Sequence, residues 1–232
     1  MQNQYKKITE HPLFNHLTVV EKKLLLDDMS HESALPKEFL YKDDCRIKHI
    51  YFISKGTIIL GKNLGRSNEF THQLTMKPLF LGIESLILMN GNHQFAKTAT
   101  KVSYSKISKE LFYKILMSNP QFHQTIREQL IDSLCHFEKK YNILHSKTEI
   151  PDRIKLFLLE LIVKGDQTSN HTQIIILHMT HLEISKYLQC ARQSVSLYLS
   201  KLKAEGIIIY RRNYFEVLDI DKLKKSKLYI RI

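Results

Sequence analysis

The side chains best suited to chemistry with a polyanion are gathered in one stretch near the C-terminal end, EISKYLQCARQSVSLYLSKLKAEGIIIYRRNYFEV, residues 183–217. From about Arg192 to Ala204 the apolar residues Val195, Leu199 and Leu202 recur at helical spacing. The opposite face of that helix carries Arg192, Gln193, Ser196, Ser200, Lys201 and Lys203. Small and basic side chains so arranged can meet the edges of bases. Arg211 and Arg212, in the turn of the hairpin that follows, can reach phosphates.

Other reactive residues form weaker patterns. His178 and His181 stand three apart with His171 nearby, but neither has a cysteine or carboxylate at ligand spacing, so no metal is expected. Cys45 lies between Asp43-Asp44 and Arg46, a charged surround that keeps a redox-responsive thiol open as an alternative. Cys135 and Cys190 read as small packed hydrophobes. The chain contains no GxSxG, Walker A, HExxH or strand-following GxGxxG motif, and no nucleophile–base pair stands out, so it does not read as an enzyme.

Several elements must position the basic face. Thr180-His181-Leu182-Glu183 has the form of a capping box and predicts a helix start. The helix that follows would bury Leu182, Ile184 and Leu188 and stop at Gln189-Cys190-Ala191. Gly206 ends the second helix, and IIIYRRNYFEV predicts a two-stranded wing. A short helix, a tight turn and a polar-faced second helix are what entry into a major groove requires. Upstream, Leu130, Leu134, Phe137, Tyr141 and Leu144 are spaced 4, 3, 4, 3, a heptad seam suited to a partner helix and hence to a homodimer.

The N-terminal half changes period. Residues 8–29 read as helix, whereas EFLYKDD, IYFISKGTIILGK and segments near residues 73–76, 95–100 and 102–107 read as short strands. The expected class is α+β: a β-roll (jelly-roll-like) domain with an N-terminal helix over 1–107, a dimerisation helix region over 108–148, and a winged helix-turn-helix over 149–232. The 232 residues carry a net charge of +12, and residues 150–232 hold 14 Lys/Arg against 8 Asp/Glu. That balance favours nucleic acid over other partners. No apolar run is long enough for a membrane span and no signal-peptide core follows the N-terminus, so a cytoplasmic location is expected.

MTHLEISKYLQCARQSVSLYLSKLKAEGII resembles the winged helix of the Crp/Fnr family of bacterial transcription regulators. HPLFNHLT resembles the family's opening helix, EFLYKDD and IYFISKGTIIL the strands of its cyclic-nucleotide-binding-type roll, and FLGIESL its Gly-Glu segment. The resemblance runs over roughly residues 10–220. It implies a homodimer on inverted-repeat promoter DNA, with RNA polymerase as a further partner if the protein activates. Arg192 matches the family's first base-contacting arginine and suits guanine, and Gln193 can pair with adenine. Leu197 replaces a second arginine, leaving an apolar contact to a thymine methyl. Ser196, Ser200, Lys201, Arg211 and Arg212 would hold phosphates.

The family's effector site would map to Gly82, Glu84, Lys97, Phe137 and Glu138. The arginine that holds a cyclic phosphate is missing from GNHQFAKTAT, and Lys97 lacks the forked geometry of a guanidinium. Cyclic AMP is therefore not expected, some other small effector remains open, and the cysteine cluster of iron–sulfur members is missing. Ala191 replaces the usual capping serine, and Gln189 stands where glycine is frequent. A replication or architectural DNA-binding protein is the other alternative, one that would not need a roll.

Overall fold

A computed structural model gives the fold and describes residues 10–65, 69–87, 94–146, 148–164, 173–176, 179–211 and 214–224. In chain order the strands are β1 (Ser30–Ala34), β2 (Phe39–Tyr41), β3 (His49–Lys55), β4 (Ile58–Asn63), β5 (Glu69–Thr75) and β6 (Leu79–Leu81). They continue with β7 (Phe95–Thr98), β8 (Val102–Ser108), β9 (Gln173–Ile176), β10 (Ile208–Arg211) and β11 (Tyr214–Val217). The helices are α1 (Val19–Asp28), α2 (Lys109–Ser118), α3 (Pro120–His145), α4 (Ile150–Lys164), α5 (His181–Leu188), α6 (Arg192–Ala204) and α7 (Ile220–Lys224). A sheet-rich N-terminal part, a long helix and a C-terminal helix-turn-helix follow one another, as the α+β reading expects. By compactness the chain divides into Met1–Gly56 with Lys77–His136, and Thr57–Met76 with Phe137–Ile232.

The first unit holds an antiparallel sheet in the order β1-β8-β3-β6, and β2 pairs with β7. Phe14, Leu25, Phe52, Phe80, Phe112 and Phe122 form its core, with the Phe80 ring 5.2 Å from both Phe52 and Phe112. The helical pattern expected over residues 8–29 is broken in two. A 3-10 turn at Pro12–Phe14 precedes α1, which starts where Thr18 and Glu21 close a reciprocal capping box. β1 has no sequence signal: Ser-His-Glu-Ser-Ala has neither β-branched nor aromatic residues. It is an edge strand, held by Glu32, whose carboxylate accepts from Lys106 at 2.7 Å and from the Tyr104 hydroxyl at 2.7 Å.

Two junctions in this unit depend on single residues. Gly56 sits at φ +106° between β3 and β4, and a Cβ there would lie 2.5 Å from the Lys101 carbonyl oxygen. Asn119 joins α2 to α3: its Oδ1 accepts from the Phe122 amide at 2.9 Å, and its Nδ2 donates to the His16 carbonyl and to Glu21. Ser108, the N-cap of α2, makes no side-chain cap bond and donates its hydroxyl and amide to Asp28 at 2.8 and 2.7 Å.

The second unit contains the hairpin β4–β5, the C-terminal turns of α3, and everything beyond. Its three-stranded sheet runs β10-β11-β9, all antiparallel. Ile154, Phe157, Leu158 and Leu161 line the buried face of α4 as their spacing predicts. They share the interior with Ile184, Leu188, Val195, Leu199 and Leu202 of α5 and α6.

Candidate nucleic-acid interface

The second helix of the pair, α6, is held from one side only. Val195, Leu199 and Leu202 are at most 1 % exposed, and Gln193, Arg192, Ser200, Lys201 and Lys203 project outward. Its N-cap is Ala191, which supplies no side-chain acceptor. Burying three aliphatic side chains contributes roughly 1.5–3 kcal/mol each. The missing cap costs about 1 kcal/mol. Packing therefore fixes α6. Its C-terminus closes as a Schellman turn, with Gly206 at φ +67°, Gly206 N–H donating to Lys203 O at 3.1 Å and Ile207 N–H to Leu202 O at 3.0 Å.

The first helix, α5, begins with the expected capping box. The Thr180 hydroxyl accepts from the Glu183 amide at 3.2 Å, and the Glu183 carboxylate accepts from the Thr180 amide at 2.7 Å. Ile184 and Leu188 are buried, but Leu182 is 49 % exposed, and Tyr187 takes the interior position instead. Leu182 is one residue past the first helical position, on the outward side of the turn that His181 turns inward. Gln189 ends α5 in the left-handed region at φ +51°, the conformation for which glycine would be preferred.

Two side-chain contacts lock the exposed face in place, and neither has a sequence signal because the partners are distant along the chain. His181 Nδ1 and Ser196 Oγ are 2.8 Å apart, tying the start of α5 to the middle of α6. Burial, and then the positive charge of Arg192, lower the His181 pKa, which keeps the imidazole neutral. On the wing, the Tyr210 hydroxyl is 3.2 Å from Ser200 Oγ, Lys203 Nζ lies 5.5 Å from the Tyr210 ring centroid, and that ring also packs 5.7 Å from His181. His181 and Tyr210 are thus the interface residues that the sequence reading missed.

Of the residues read as DNA-facing, Arg192, Gln193, Ser200, Lys201 and Arg211 are exposed, and Leu197 is 75 % exposed, an unusual position for leucine on an otherwise well-packed helix. Ser196 is half-buried with its hydroxyl against His181, and Lys201 forms an exposed i,i+4 pair with Glu205 at 3.9 Å. Arg212 lies outside the described residues, as do His171 and His178. Among the described residues no group of three or more His, Cys, Asp or Glu could hold a metal ion. Cys45 and Cys135 are both exposed on the single chain, Cys135 beside Leu134 on α3. Burial raises the Cys190 pKa, leaving that thiol protonated.

The residues mapped to an effector site divide between the units. In the first, Gly82 stands at φ +84° before a 3-10 turn, and Glu84 in that turn accepts from Gln94 Nε2 at 3.1 Å. Lys97 Nζ lies 5.2 Å from the Phe39 ring centroid. None of these three lines the cleft of about 830 Å³ bounded by Arg46, Lys48, Ser85 and Lys109. In the second unit Glu138 is exposed, and the Phe137 ring is 6.1 Å from His72. Phe137 and Leu144 help to line a cavity of about 290 Å³ together with Phe70, His72, Tyr141 and Gln189.

Along α3, Leu130, Leu134, Phe137 and Tyr141 are 40–59 % exposed, and Ile131 joins them at 52 %. Leu144, read as the last seam residue, is only 9 % exposed. Its side chain turns to the wall of the 290 Å³ cavity, which Phe70 and His72 of β5 and Gln189 at the end of α5 also line.

Residues 152–226 match the family model of the Crp-like helix-turn-helix domain. No curated protein sequence matches the chain. Among solved structures, FixK2 from Bradyrhizobium japonicum is similar at TM-score 0.73 and 20 % identity, over 84 % of this chain and 95 % of that one. CLP of Xanthomonas campestris, described as a c-di-GMP-responsive global regulator, is similar at TM-score 0.70 and 19 % identity, over 87 % and 99 %. A CRP/FNR-family transcriptional regulator from Thermus thermophilus gives TM-score 0.67 and 20 % identity, over 84 % and 97 %. The chain carries a Crp-like helix-turn-helix domain and has, over most of its length, the fold of the Crp/Fnr transcription regulators.

Proposed function

We propose that this protein is a sequence-specific DNA-binding transcription regulator that acts as a homodimer on inverted-repeat promoter sites. The observation that carries the reading is the outward face of α6. An arginine, a glutamine and a leucine stand exposed at its N-terminal end on a helix whose other face is sealed into a Crp-like domain. That combination suits base edges in a major groove: a guanidinium for guanine, a carboxamide for adenine, a branched alkyl group for the thymine methyl. Ser200, Lys201 and Arg211 flank it with groups suited to phosphates, and Arg212 and Ser196 are assigned the same role.

The homodimer is supported by Leu130, Ile131, Leu134 and Tyr141, four large apolar groups left exposed at helical spacing on α3. The two reading helices of such a dimer would address half-sites about one helical turn apart. RNA polymerase is the further partner if the protein activates. The mechanism needs no resident cofactor, and any effector is a small molecule other than cyclic AMP, whose phosphate would meet no arginine among residues 91–100. A cytoplasmic location fits this role, and among the described residues no helix is long and apolar enough to cross a membrane.

The test is selection of genomic fragments by the purified protein at near-physiological salt, where non-specific phosphate binding is weak. Enrichment of one inverted repeat supports the reading. Recovery of random fragments, with or without cell extract as a source of effector, refutes it.

A further inference from the structure

The fold contains a cation, on α3, that reaches the helix against which α6 packs. Lys140, on the C-terminal part of α3, lies with its Nζ 3.1 Å from the centroid of the Tyr187 ring. The same ammonium donates to the carbonyl oxygens of His72 at 3.0 Å and Thr71 at 3.3 Å, both on β5. Tyr187 belongs to α5 and is 1 % exposed. Its hydroxyl donates to the Glu160 carboxylate of α4 at 3.1 Å, and its ring packs 5.5 Å from Phe157. One ammonium thus joins the long helix, the β4–β5 hairpin and the first helix of the pair.

The chemistry makes this junction specific. A lysine ammonium has three donors, and two of these engage backbone carbonyls where the β4–β5 register shifts and His72 falls between the paired residues Thr71 and Gln73. The positive charge also faces a buried ring, where a cation–π attraction is stronger than at an exposed site because water does not compete. The carbonyls fix where the charge sits, and the charge fixes where the Tyr187 ring sits. Because α5 packs directly on α6, the position of Tyr187 also sets the position of the reading helix relative to the long helix.

We infer that Lys140 is a positioning residue for DNA reading: it sets the placement of each reading helix relative to the dimer helix without contacting DNA. This inference rests on the dimeric DNA-binding reading above. If α3 is the dimer spine, the distance between two reading helices depends on how rigidly each is referred to its own α3. An isolated half-site makes no such demand.

The experiment compares the affinities of wild type and K140M, which keeps the stem and loses the charge, for the selected inverted repeat and for a single half-site duplex, each at two salt concentrations. K140M is expected to lose about 10- to 30-fold in full-site affinity, the equivalent of a desolvated cation–π contact. Its half-site affinity should stay within about twofold, and its salt dependence should not change, because no phosphate contact is removed. Equal losses on both duplexes, a flatter salt slope, or an unchanged full-site affinity would each overturn the inference. Half-site binding reports that the domain is folded. Should K140M fail that control, K140R, which keeps the charge but displaces its donors from the two carbonyls, is read in the same assay, with a full-site loss at retained half-site affinity expected and the same outcomes overturning the inference. A wild type that bound full and half-sites alike would instead overturn the dimer reading, and this one with it.

Discussion

Replacing Arg192 by alanine isolates the base-reading step from everything that supports it. Arg192 is exposed at the first position of α6, so its truncation opens no cavity and stability should change by no more than about 0.5 kcal/mol. What is lost is a fork able to make two parallel hydrogen bonds to one guanine, a contact that typically discriminates by about 1–3 kcal/mol. At 1.4 kcal/mol per factor of ten, this is roughly a 5- to 150-fold loss on the selected site, concentrated at one base pair. The assay is competition anisotropy with the selected inverted repeat and its single-base variants. The wild type should penalise substitution at one symmetric position, and R192A should bind all four bases there nearly alike. R192K keeps the charge without the fork and should retain non-specific affinity while losing the same discrimination. The substitution also has a readout away from DNA. Arg192 is the smaller of two causes that lower the His181 pKa, so in R192A the imidazole should titrate at higher pH by NMR, though still below the ordinary value because burial remains. Loss of affinity in equal measure for the selected site and random DNA would refute the base-reading role.

Leu134→Glu places a charge in the centre of the exposed α3 stripe and should give a folded monomer by sedimentation velocity with an unchanged circular dichroism spectrum; a protein that stays dimeric sinks the seam. Gly56→Ala forces a Cβ into the Lys101 carbonyl at a left-handed φ. It should cost roughly 2–5 kcal/mol in denaturant melts, and a loss below about 1 kcal/mol would show that the β3–β4 turn is not so constrained. Because folding lowers the His181 pKa, the folded state binds its proton less tightly than the unfolded chain. Its contribution to stability is complete above the unfolded pKa of about 6.5 and is lost as pH falls toward the folded value. His181→Asn should therefore flatten the decline in stability on acidification below neutrality, and an unchanged pH profile would argue against it.

How much of this was legible in the sequence depended on whether the signal was local. The Thr180–Glu183 box, the Gly206 stop and the α4 face are written within a few residues and were all readable. β1 was not, because its five residues have no strand character and depend on Glu32 meeting Lys106 and Tyr104 more than 70 positions away. Leu144 fits a heptad as well as Leu134 does, and periodicity cannot tell which neighbour will claim it. The same limit hid the interface contacts. His181 against Ser196, Ser200 against Tyr210 and Lys140 over Tyr187 each unite residues whose types are ordinary and whose closeness is made only by the fold.

Tyr210 on the wing is hydrogen-bonded to Ser200, faced by Lys203 and packed on His181, so the hairpin and both helices of the pair form one body before any DNA arrives. The wing and the two helices then need little rearrangement on docking, and the entropy still to be lost is the rotamer freedom of exposed side chains such as Arg192 and Gln193. A preorganised reader of this kind is also unforgiving. On the proposed DNA-reading role, a groove too wide or too narrow for the fixed distance between wing and helix could not be met by one without releasing the other, so DNA shape would be sensed even at positions that no side chain reads.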